Sequence, residues 1–380
     1  WPATQRRIGA IRLWDADGAQ WAEVNTSRGS YDWSALDAHV QRAIEHRADL
    51  LFNLGRTPRW ASARPNEEGN YGLGQAAEPA SDEDWQAWVR AAGERYRGKI
   101  HYWEIWNEPN DAGFYSGTPE KLVDLAKQAY TILKEIDPTN RIVSPSAYRV
   151  DFLDTYLALG GGKVADIIGY HFYVDEAPEV LFTSYIANVR LTMQKHGILH
   201  KPLWNTEEGW LRPTPCGAIT LPDSVAVGYV ARAYILNWAS GVDRYYYYAW
   251  DNHGFMNIDL TTGDSQTPTP AGIAYREVAR WLIGSQMSDL QRDEHNTWQV
   301  KLTRPDGTNA YILWNPTEKR NVSIPSDWHI THYWDLSGTV HSLANAAEIE
   351  IDASPLLLEE DTETTFLPLI QRVVNTLFPQ

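Results

Sequence analysis

Cysteine is nearly missing from this chain: Cys216 stands alone among 380 residues. No disulfide can close within it and no thiolate metal site can form, so a disulfide-built miniprotein is excluded. Long apolar runs are missing too, none approaching the roughly 18 residues a membrane-crossing helix needs. Positive charge is in deficit, with 33 Lys and Arg against 49 Asp and Glu and a formal net charge of -16. Such a field repels phosphate backbones and anionic lipid, so neither nucleic acid nor membrane insertion is expected of it. Phenylalanine is scarce as well, at 8 residues beside 18 Trp and 20 Tyr.

That last imbalance is informative. Phe serves a core well, whereas Trp and Tyr join a flat apolar face to a polar edge and suit surfaces that are half wet. Sugar rings have the matching character, with apolar C–H faces and hydroxyl rims. About half of the tryptophans are expected to fill core and the rest to offer such faces. Trp1 rather than Met opens the sequence, so the N-terminus is read as processed, trimmed or left out. The acidic, Trp-rich composition makes an exported location, secreted or periplasmic, the expectation. Asn25-Thr26-Ser27 and Asn321-Val322-Ser323 match the glycosylation acceptor pattern.

Short apolar runs at 8–14, 50–54, 101–106, 141–144, 166–172, 202–206 and 245–250 alternate with helical patterns. Most lack polar alternation, as strands covered on both faces do. Leu122, Leu125, Ala129, Leu133 and Ile136 mark one helical stripe, ended by Asp137-Pro138. Similar patterns cover 34–47, 82–97, 177–196, 222–240 and 270–283. This rhythm predicts a parallel sheet, read as a (β/α)8 TIM barrel over residues 1–286. Seven strands are visible where the barrel has eight, and the first is expected upstream of Trp1. An open doubly wound sheet would want G-x-G-x-x-G at a strand end, and none carries it. From 287 to 365 strands and turns take over, predicting a small antiparallel β-sandwich, and 366–380 reads as a helical tail.

Two carboxylates stand where strands end. In Tyr102-Trp103-Glu104-Ile105-Trp106-Asn107-Glu108-Pro109, strand alternation sets Glu104, Trp106 and Glu108 on one side, and Pro109 ends the strand with Glu108 at the carboxyl rim. In Trp204-Asn205-Thr206-Glu207-Glu208-Gly209-Trp210, alternation lets only one of Glu207 and Glu208 face the same centre. Two rim carboxylates about 5 to 5.5 Å apart are the equipment of retaining glycoside hydrolysis.

Trp106-Asn107-Glu108-Pro109 and Thr206-Glu207-x-Gly209-Trp210 resemble clan A glycoside hydrolases, which are (β/α)8 barrels, and most of all family 39 and its relatives. The similarity extends over residues 8 to about 285, through Arg12-Leu13-Trp14-Asp15, Thr57-Pro58-Arg59-Trp60-Ala61 and Thr269-Pro270-Ala271-Gly272. The resemblance implies that Glu108 is the acid/base and Asn107 the donor to the sugar 2-hydroxyl. It implies Glu207 as nucleophile, with Glu208 in a place usually held by an apolar or aromatic residue. It also makes Arg12 a residue of the second barrel strand, sets His171 and Tyr173 as donors near the nucleophile, and makes Trp250 a stacking platform.

Physical chemistry asks for the same division of labour. A nucleophilic carboxylate needs a cation or donors to stay ionised, and Arg12 and Tyr173 are candidates. The acid needs burial and a nearby negative charge. The long Gly- and Pro-rich segment 56–81, with Arg59, Trp60 and Tyr71, is expected to wall the cleft, and Asp251, Asn252 and His253 are further candidate contacts. The substrate expected is a carbohydrate, with no cofactor and no metal; the 11 His show no His-x-His pattern for a metal-dependent hydrolase. The competing reading is an inactive glycan-binding protein on the same barrel, against which the retention of both carboxylates argues.

Overall fold

The computed structural model describes residues 8–211, 221–250, 252–343 and 347–360. The connection at 1–7 with the strand expected before it, the helical tail at 366–380, and Asp251 lie outside the described residues. The chain divides into two compact units, Trp1–Arg212 with Leu236–Met256 and Pro213–Ile235 with Asn257–Gln380.

The first unit holds all seven expected strands: β1 (Ala10–Leu13), β2 (Asp49–Asn53), β3 (Tyr102–Glu104), β4 (Arg141–Val143), β5 (Ile168–His171), β6 (Leu203–Glu208) and β7 (Arg244–Tyr247). They pair in parallel as β1-β2-β3-β4 and β5-β6-β7, and parallel bridges Val143–Ile167 and Ala147–Tyr170 carry the pairing from β4 to β5. After β1 come α1 (Trp21–Val24) and α2 (Ser34–Glu45); then α3 (Asp82–Arg95) follows β2, α4 (Pro119–Ile136) β3, α5 (Val150–Ala158) β4, α6 (Ile186–Lys195) β5, α7 (Asp223–Ala239) β6 and α8 (Pro270–Leu282) β7. α4 starts where the Thr118 hydroxyl accepts from the Lys121 N–H and Pro119 fits the first turn, and it buries the expected stripe of Leu122, Leu125, Ala129, Leu133 and Ile136.

Strand alternation builds the interior in layers. Ala10, Leu51, Tyr102, Val143, Ile167, Trp204 and Tyr246 meet in one apolar cluster, with contributions from β1 at one end and β7 at the other. No ladder joins β7 to β1 among the described residues. The Arg244 guanidinium lies over the Tyr102 and Trp204 rings, 4.9 and 4.5 Å from their centroids, and pairs with Asp49 at 2.8 Å. Two residues further along their strands, Arg12, Asn53 and Glu104 form a polar layer above the apolar one. Gly169 is required beside it, because a Cβ there would sit 2.3 Å from Ser146 Oγ.

In the second unit β8 (Gln286–Arg292), β9 (Trp298–Thr303), β10 (Asn309–Trp314), β12 (Ile330–Trp334), β13 (Val340–Ser342) and β15 (Leu356–Glu360) form an antiparallel sheet in the order β13-β12-β15-β10-β9-β8. The ribbon β11 (Arg320–Ser323) with β14 (Glu348–Ile351) packs on it through Val322, Ile349 and Ile351 against Tyr311, Leu313 and Leu358. The change of rhythm expected at 286/287 lies one residue inside β8, which begins at Gln286 after α8 ends at Leu282. Sequence reading leaves out two strands of this sheet: β8, which is mostly polar and offers only Met287 and Leu290 to it, and β15. Asn25, in the first unit, is buried with its amide bonded to the Ser27 and Ser30 carbonyls, so only Asn321 of the two glycosylation patterns is exposed.

Eleven of the 17 described tryptophans are buried, more than the half expected, and Trp21, Trp85, Trp88, Trp103, Trp106, Trp281, Trp298 and Trp314 are fully so. Trp88 on α3 lies parallel to Trp33 at 5.6 Å and to Trp21 at 6.0 Å, and its indole N–H donates to the Leu54 carbonyl at 3.1 Å. It thus ties a helix to the end of β2 by area and by a hydrogen bond. Replacement Trp88→Ala is expected to cost about 3 to 5 kcal/mol of unfolding free energy in a denaturant titration; a loss below about 1 kcal/mol would show that this stack is not what holds α3.

Candidate active site

Arg12 projects from β1 into the polar layer and is almost wholly buried. Its Nε donates to Glu104 Oε2 at 2.9 Å, its Nη1 to Glu207 Oε2 at 2.6 Å and its Nη2 to Asn107 Oδ1 at 2.6 Å. Burial disfavours its charge, but Glu104 and Glu207 more than offset this and hold the guanidinium protonated. Glu104 is held further by Asn53 Nδ2 at 2.9 Å and by the Ser146 hydroxyl. Because a guanidinium only donates, the Asn107 oxygen must face it, which leaves the Asn107 amide N–H groups as the donors available to the cavity it lines.

The strand carrying Glu108 ends earlier than alternation assumes. β3 stops at Glu104, Asn107 bridges to Ser146, and Glu108 takes φ 43° with its N–H on the Ser146 carbonyl at 2.8 Å. Glu104 and Asn107 therefore both meet Arg12, while Trp106 packs outward on Trp85 and Tyr115. The grouping of Glu104, Trp106 and Glu108 on one side is corrected accordingly: the pairing with β4 turns the backbone after Glu104, and the left-handed residue re-aims the Glu108 side chain. Its Oε1 lies 2.7 Å from His171 Nδ1. Burial pushes the Glu108 carboxyl up to about 7, with Asp111 and Glu104 adding to the rise and Arg12 opposing it. Burial pushes His171 down to about 4, so its imidazole is neutral around pH 7.

Glu207 reaches the same centre through an irregularity in β6. Tyr170 pairs with Asn205 but His171 with Glu207, and on the other side Asn205 pairs with Tyr245 but Glu208 with Tyr247. One extra residue in β6 turns two successive side chains inward. Thr206 Oγ1 donates to Ser146 Oγ at 2.7 Å, and Glu207 meets Arg12 through Oε2 and the Tyr173 hydroxyl through Oε1 at 2.6 Å. Burial raises the Glu207 carboxyl from its ordinary value; Arg12 and the Tyr173 hydrogen bond pull against this, and Glu108 adds to it. Gly209 must be glycine, since a Cβ would lie 1.9 Å from the Tyr248 carbonyl oxygen. Glu208 turns the other way, onto Asn205 and onto Asn237 of α7 at 3.0 Å, and does not line the cavity.

Glu108 and Glu207 open on a cavity of about 640 Å³. Asn107, His171 and Tyr173 line it with them, so five of the sequence-derived residues meet there, and Arg12 lies directly behind. His171 contacts the Glu108 carboxyl; its other nitrogen is 3.9 Å from Glu207, so it is not a hydrogen-bond donor to that residue. Trp60 and Trp250 are not among the lining residues. The Trp60 indole donates to the Asn25 carbonyl at 2.6 Å, and the 56–81 segment reaches the cavity through Asn70 and Tyr71 instead. Asn252 bonds the Tyr248 hydroxyl at 2.9 Å, and it is Tyr248 and Phe255 that line the cavity there. Sequence reading also leaves Trp14, Phe114, Tyr148 and Tyr185 out of the site. Trp14 and Tyr148 share the available signal, an aromatic just past a strand's carboxyl end.

Glu108, His171 and Glu207 offer ligand atoms all within 4.8 Å of one another and are the group among the described residues that could hold a metal ion. Arg12 already engages Glu207 and His171 already engages Glu108, so a cation would have to displace both contacts. Chemically the arrangement sets a carboxyl with a cation and a hydroxyl donor beside one whose side-chain hydrogen-bond partner among the described residues is a neutral imidazole.

Glu208 has a separate consequence for stability. Burial pushes its carboxyl up to about 8, opposed by the Asn237 and Asn205 amides. A folded-state pKa above the unfolded value means that the neutral form is favoured in the fold. The stability it supports is fully present below the ordinary carboxylate range and lost as pH rises through about 8. Glu208→Gln is therefore expected to unfold like the parent at pH 4.5 and to be more stable by over about 1 kcal/mol at pH 9. Denaturant titrations at the two pH values check this, and an equal effect at both would refute it.

No protein-family model matches the sequence and no curated protein matches it. Solved structures do match the fold. A family 39 glycoside hydrolase from the gut symbiont Bacteroides cellulosilyticus is 19% identical, with a TM-score of 0.72 over 93% of this chain and 75% of that one. A glucosidase from Croceicoccus marinus is 14% identical, with a TM-score of 0.68 over 93% of this chain and 89% of that one. A family 30 subfamily 8 xylanase from Clostridium acetobutylicum is 16% identical, with a TM-score of 0.64 over 93% and 88%. The likeness expected from the two carboxylate-bearing motifs is thus met in three dimensions: the chain has the fold seen in family 39 and family 30 enzymes of clan A.

Proposed function

We propose that the protein is a retaining glycoside hydrolase that cleaves β-linked bonds of an oligosaccharide or polysaccharide. In this reading the parallel strands belong to a (β/α)8 barrel, the C-terminal sheet and ribbon form an accessory β-sandwich, and the protein is exported. The observation that carries it is the nearness of two unlike carboxyls: an oxygen of Glu108 and one of Glu207 lie within 4.8 Å. Retaining enzymes hold their pair about 5 to 5.5 Å apart, whereas inverting ones leave about 6.5 to 9.5 Å for a water. The fold likeness adds support.

Glu207 is the nucleophile, because a permanent cation and a phenol both bond its oxygens. Its oxygen attacks the anomeric carbon as the bond to the leaving oxygen breaks, and Glu108 gives that oxygen its proton. Water then attacks the anomeric carbon, Glu108 takes a proton from it, and Glu207 leaves as carboxylate. Asn107 offers its amide N–H to the 2-hydroxyl. The neutral His171 orients Glu108 without supplying the charge that would strip its proton. Solved neighbours include a glucosidase and a xylanase, so gluco- and xylo-configured β-glycosides are the substrates to try first.

Two measurements test the roles. Glu207→Ala should lose at least about a thousandfold in kcat on activated aryl β-glycosides, with azide restoring turnover and giving the α-glycosyl azide, while azide on Glu108→Ala gives the β-glycosyl azide. Retained activity of Glu207→Ala without azide would overturn the nucleophile assignment.

Glu108 works as an acid only while protonated, so kcat/KM of the parent should fall as pH rises through about 7. That alkaline limb should vanish in Glu108→Ala, assayed on a leaving group that needs no protonation. A limb that persists in the variant would assign it to another group.

A further inference from the structure

Ser146 stands past β4 and is fully buried, yet it carries a hydroxyl where an alanine would occupy nearly the same space. The fold reserves room for that hydroxyl: Gly169 on β5 faces it, and a Cβ there would lie 2.3 Å from the Ser146 oxygen. Glu104 Oε2 takes Arg12 Nε and the Asn53 amide, each at 2.9 Å, and leaves Oε1 to accept from Ser146. A hydroxyl has one hydrogen, so with that hydrogen on Glu104 the Ser146 oxygen can only accept on its other side. Thr206 supplies the donor at 2.7 Å, with the Tyr170 carbonyl, 3.4 Å away, as its poorer alternative. The three groups form a one-way chain, Thr206 to Ser146 to Glu104, among residues no more than 1% exposed.

That chain closes a ring. Glu207 follows Thr206 directly, where the extra residue of β6 turns both inward. Glu207 meets Arg12, Arg12 meets Glu104, and Glu104 meets Ser146, which leads back to Thr206. In such a buried network a shift of one member is passed to the next. Ser146 also holds the second carboxyl in place, because its backbone carbonyl accepts from the Glu108 N–H at 2.8 Å.

We propose that Ser146 is a positioning residue for the hydrolysis: its hydroxyl closes the ring Glu207–Arg12–Glu104–Ser146–Thr206 and so fixes the place of the Glu207 carboxylate and its share of the Arg12 cation. The proposal rests on the hydrolase reading, in which Glu207 attacks. Without the hydroxyl, Glu104 loses a donor and draws harder on Arg12, and Thr206 loses its tether over β5. The other groups facing Glu207 keep their places: the Tyr173 hydroxyl, His171 at 3.9 Å, the Glu108 carboxyl, and Tyr71 and Tyr248, which lie in its field.

Ser146→Ala and Thr206→Val each remove the link from one side and leave the backbone contact with Glu108 intact. On activated aryl β-xylosides and β-glucosides each should lower kcat about tenfold with KM little changed. The double variant should fall no further than the worse single one, because one broken link opens the whole ring. Glu207 attacks only while ionised, and a weaker share of Arg12 favours its protonated form. The acidic limb of kcat/KM should therefore move up by about half a pH unit. Thr206→Ser, which keeps the hydroxyl, should restore both kcat and the limb. An acidic limb that stays in place, or losses that add in the double variant, overturns the assignment. If the parent hydrolyses none of these substrates the hydrolase reading fails instead. Carbon-13 NMR titration of the Glu207 carboxyl, identified by its absence from Glu207→Gln, then decides the ring: a midpoint at higher pH in Ser146→Ala upholds it, and an unchanged midpoint overturns it.

Discussion

One buried guanidinium organises the centre of this protein. Arg12 is bonded to Glu104 at the end of β3, to Asn107 beyond it and to Glu207 near the end of β6, while it stands on β1 itself. Burying a cation is costly unless every donor finds an acceptor, and removing one partner of such a pair typically costs about 3 to 5 kcal/mol. Here the constraint also sets chemistry. The contact with Asn107 decides which end of that amide is offered to the cavity, and the contact with Glu207 favours its ionised form. Three carboxyls, those of Glu104, Glu108 and Glu207, share a single permanent cation. Arg12 bonds two of them, so the third, Glu108, is the one left to keep a proton.

The backbone departs from regularity where this charge arrangement demands it. A regular strand presents alternate residues to one face, a spacing that suits the apolar layer of Leu51, Tyr102 and Trp204. The layer above needs Glu104 and Asn107 at one guanidinium, and Thr206 and Glu207 both inward, which alternation cannot supply. The early end of β3, the left-handed Glu108 and the extra residue in β6 supply it instead. The same extra residue sends Glu208 out towards α7, where amides rather than cations receive it and its neutral form is favoured.

This explains what was legible in the sequence. Each parallel strand is a short apolar run covered on both sides, and all seven stand out as such. The helix α5 does not, because nine residues give barely two turns of periodicity. The carboxylates and their cation are legible because strand ends can be counted and because the motifs around them are specific. The contacts that depend on irregular backbone are not: alternation groups Trp106 with Glu104 and Glu108, whereas Trp106 packs outward on Trp85. Trp60 looks like a cleft residue by its neighbours in sequence, yet its indole is committed to the Asn25 carbonyl, a partner 35 positions away that no local pattern reveals.

The aromatic composition divides by depth. Tryptophan carries the larger area, and eight of the tryptophans are fully buried, with Trp88 and its stacked neighbours joining α3 to the end of β2. The cavity is lined instead by Tyr71, Tyr148, Tyr170, Tyr173, Tyr185 and Tyr248, with Trp14 the sole indole among its described lining residues. A phenol ends in a hydroxyl that both donates and accepts, so one side chain can meet a ring face and a polar group at once. Two of these tyrosines already use that capacity on acidic residues, Tyr173 on Glu207 and Tyr248 on Asp15. Part of the tyrosine content therefore serves the cleft, and the fully buried tryptophans serve the packing of the core.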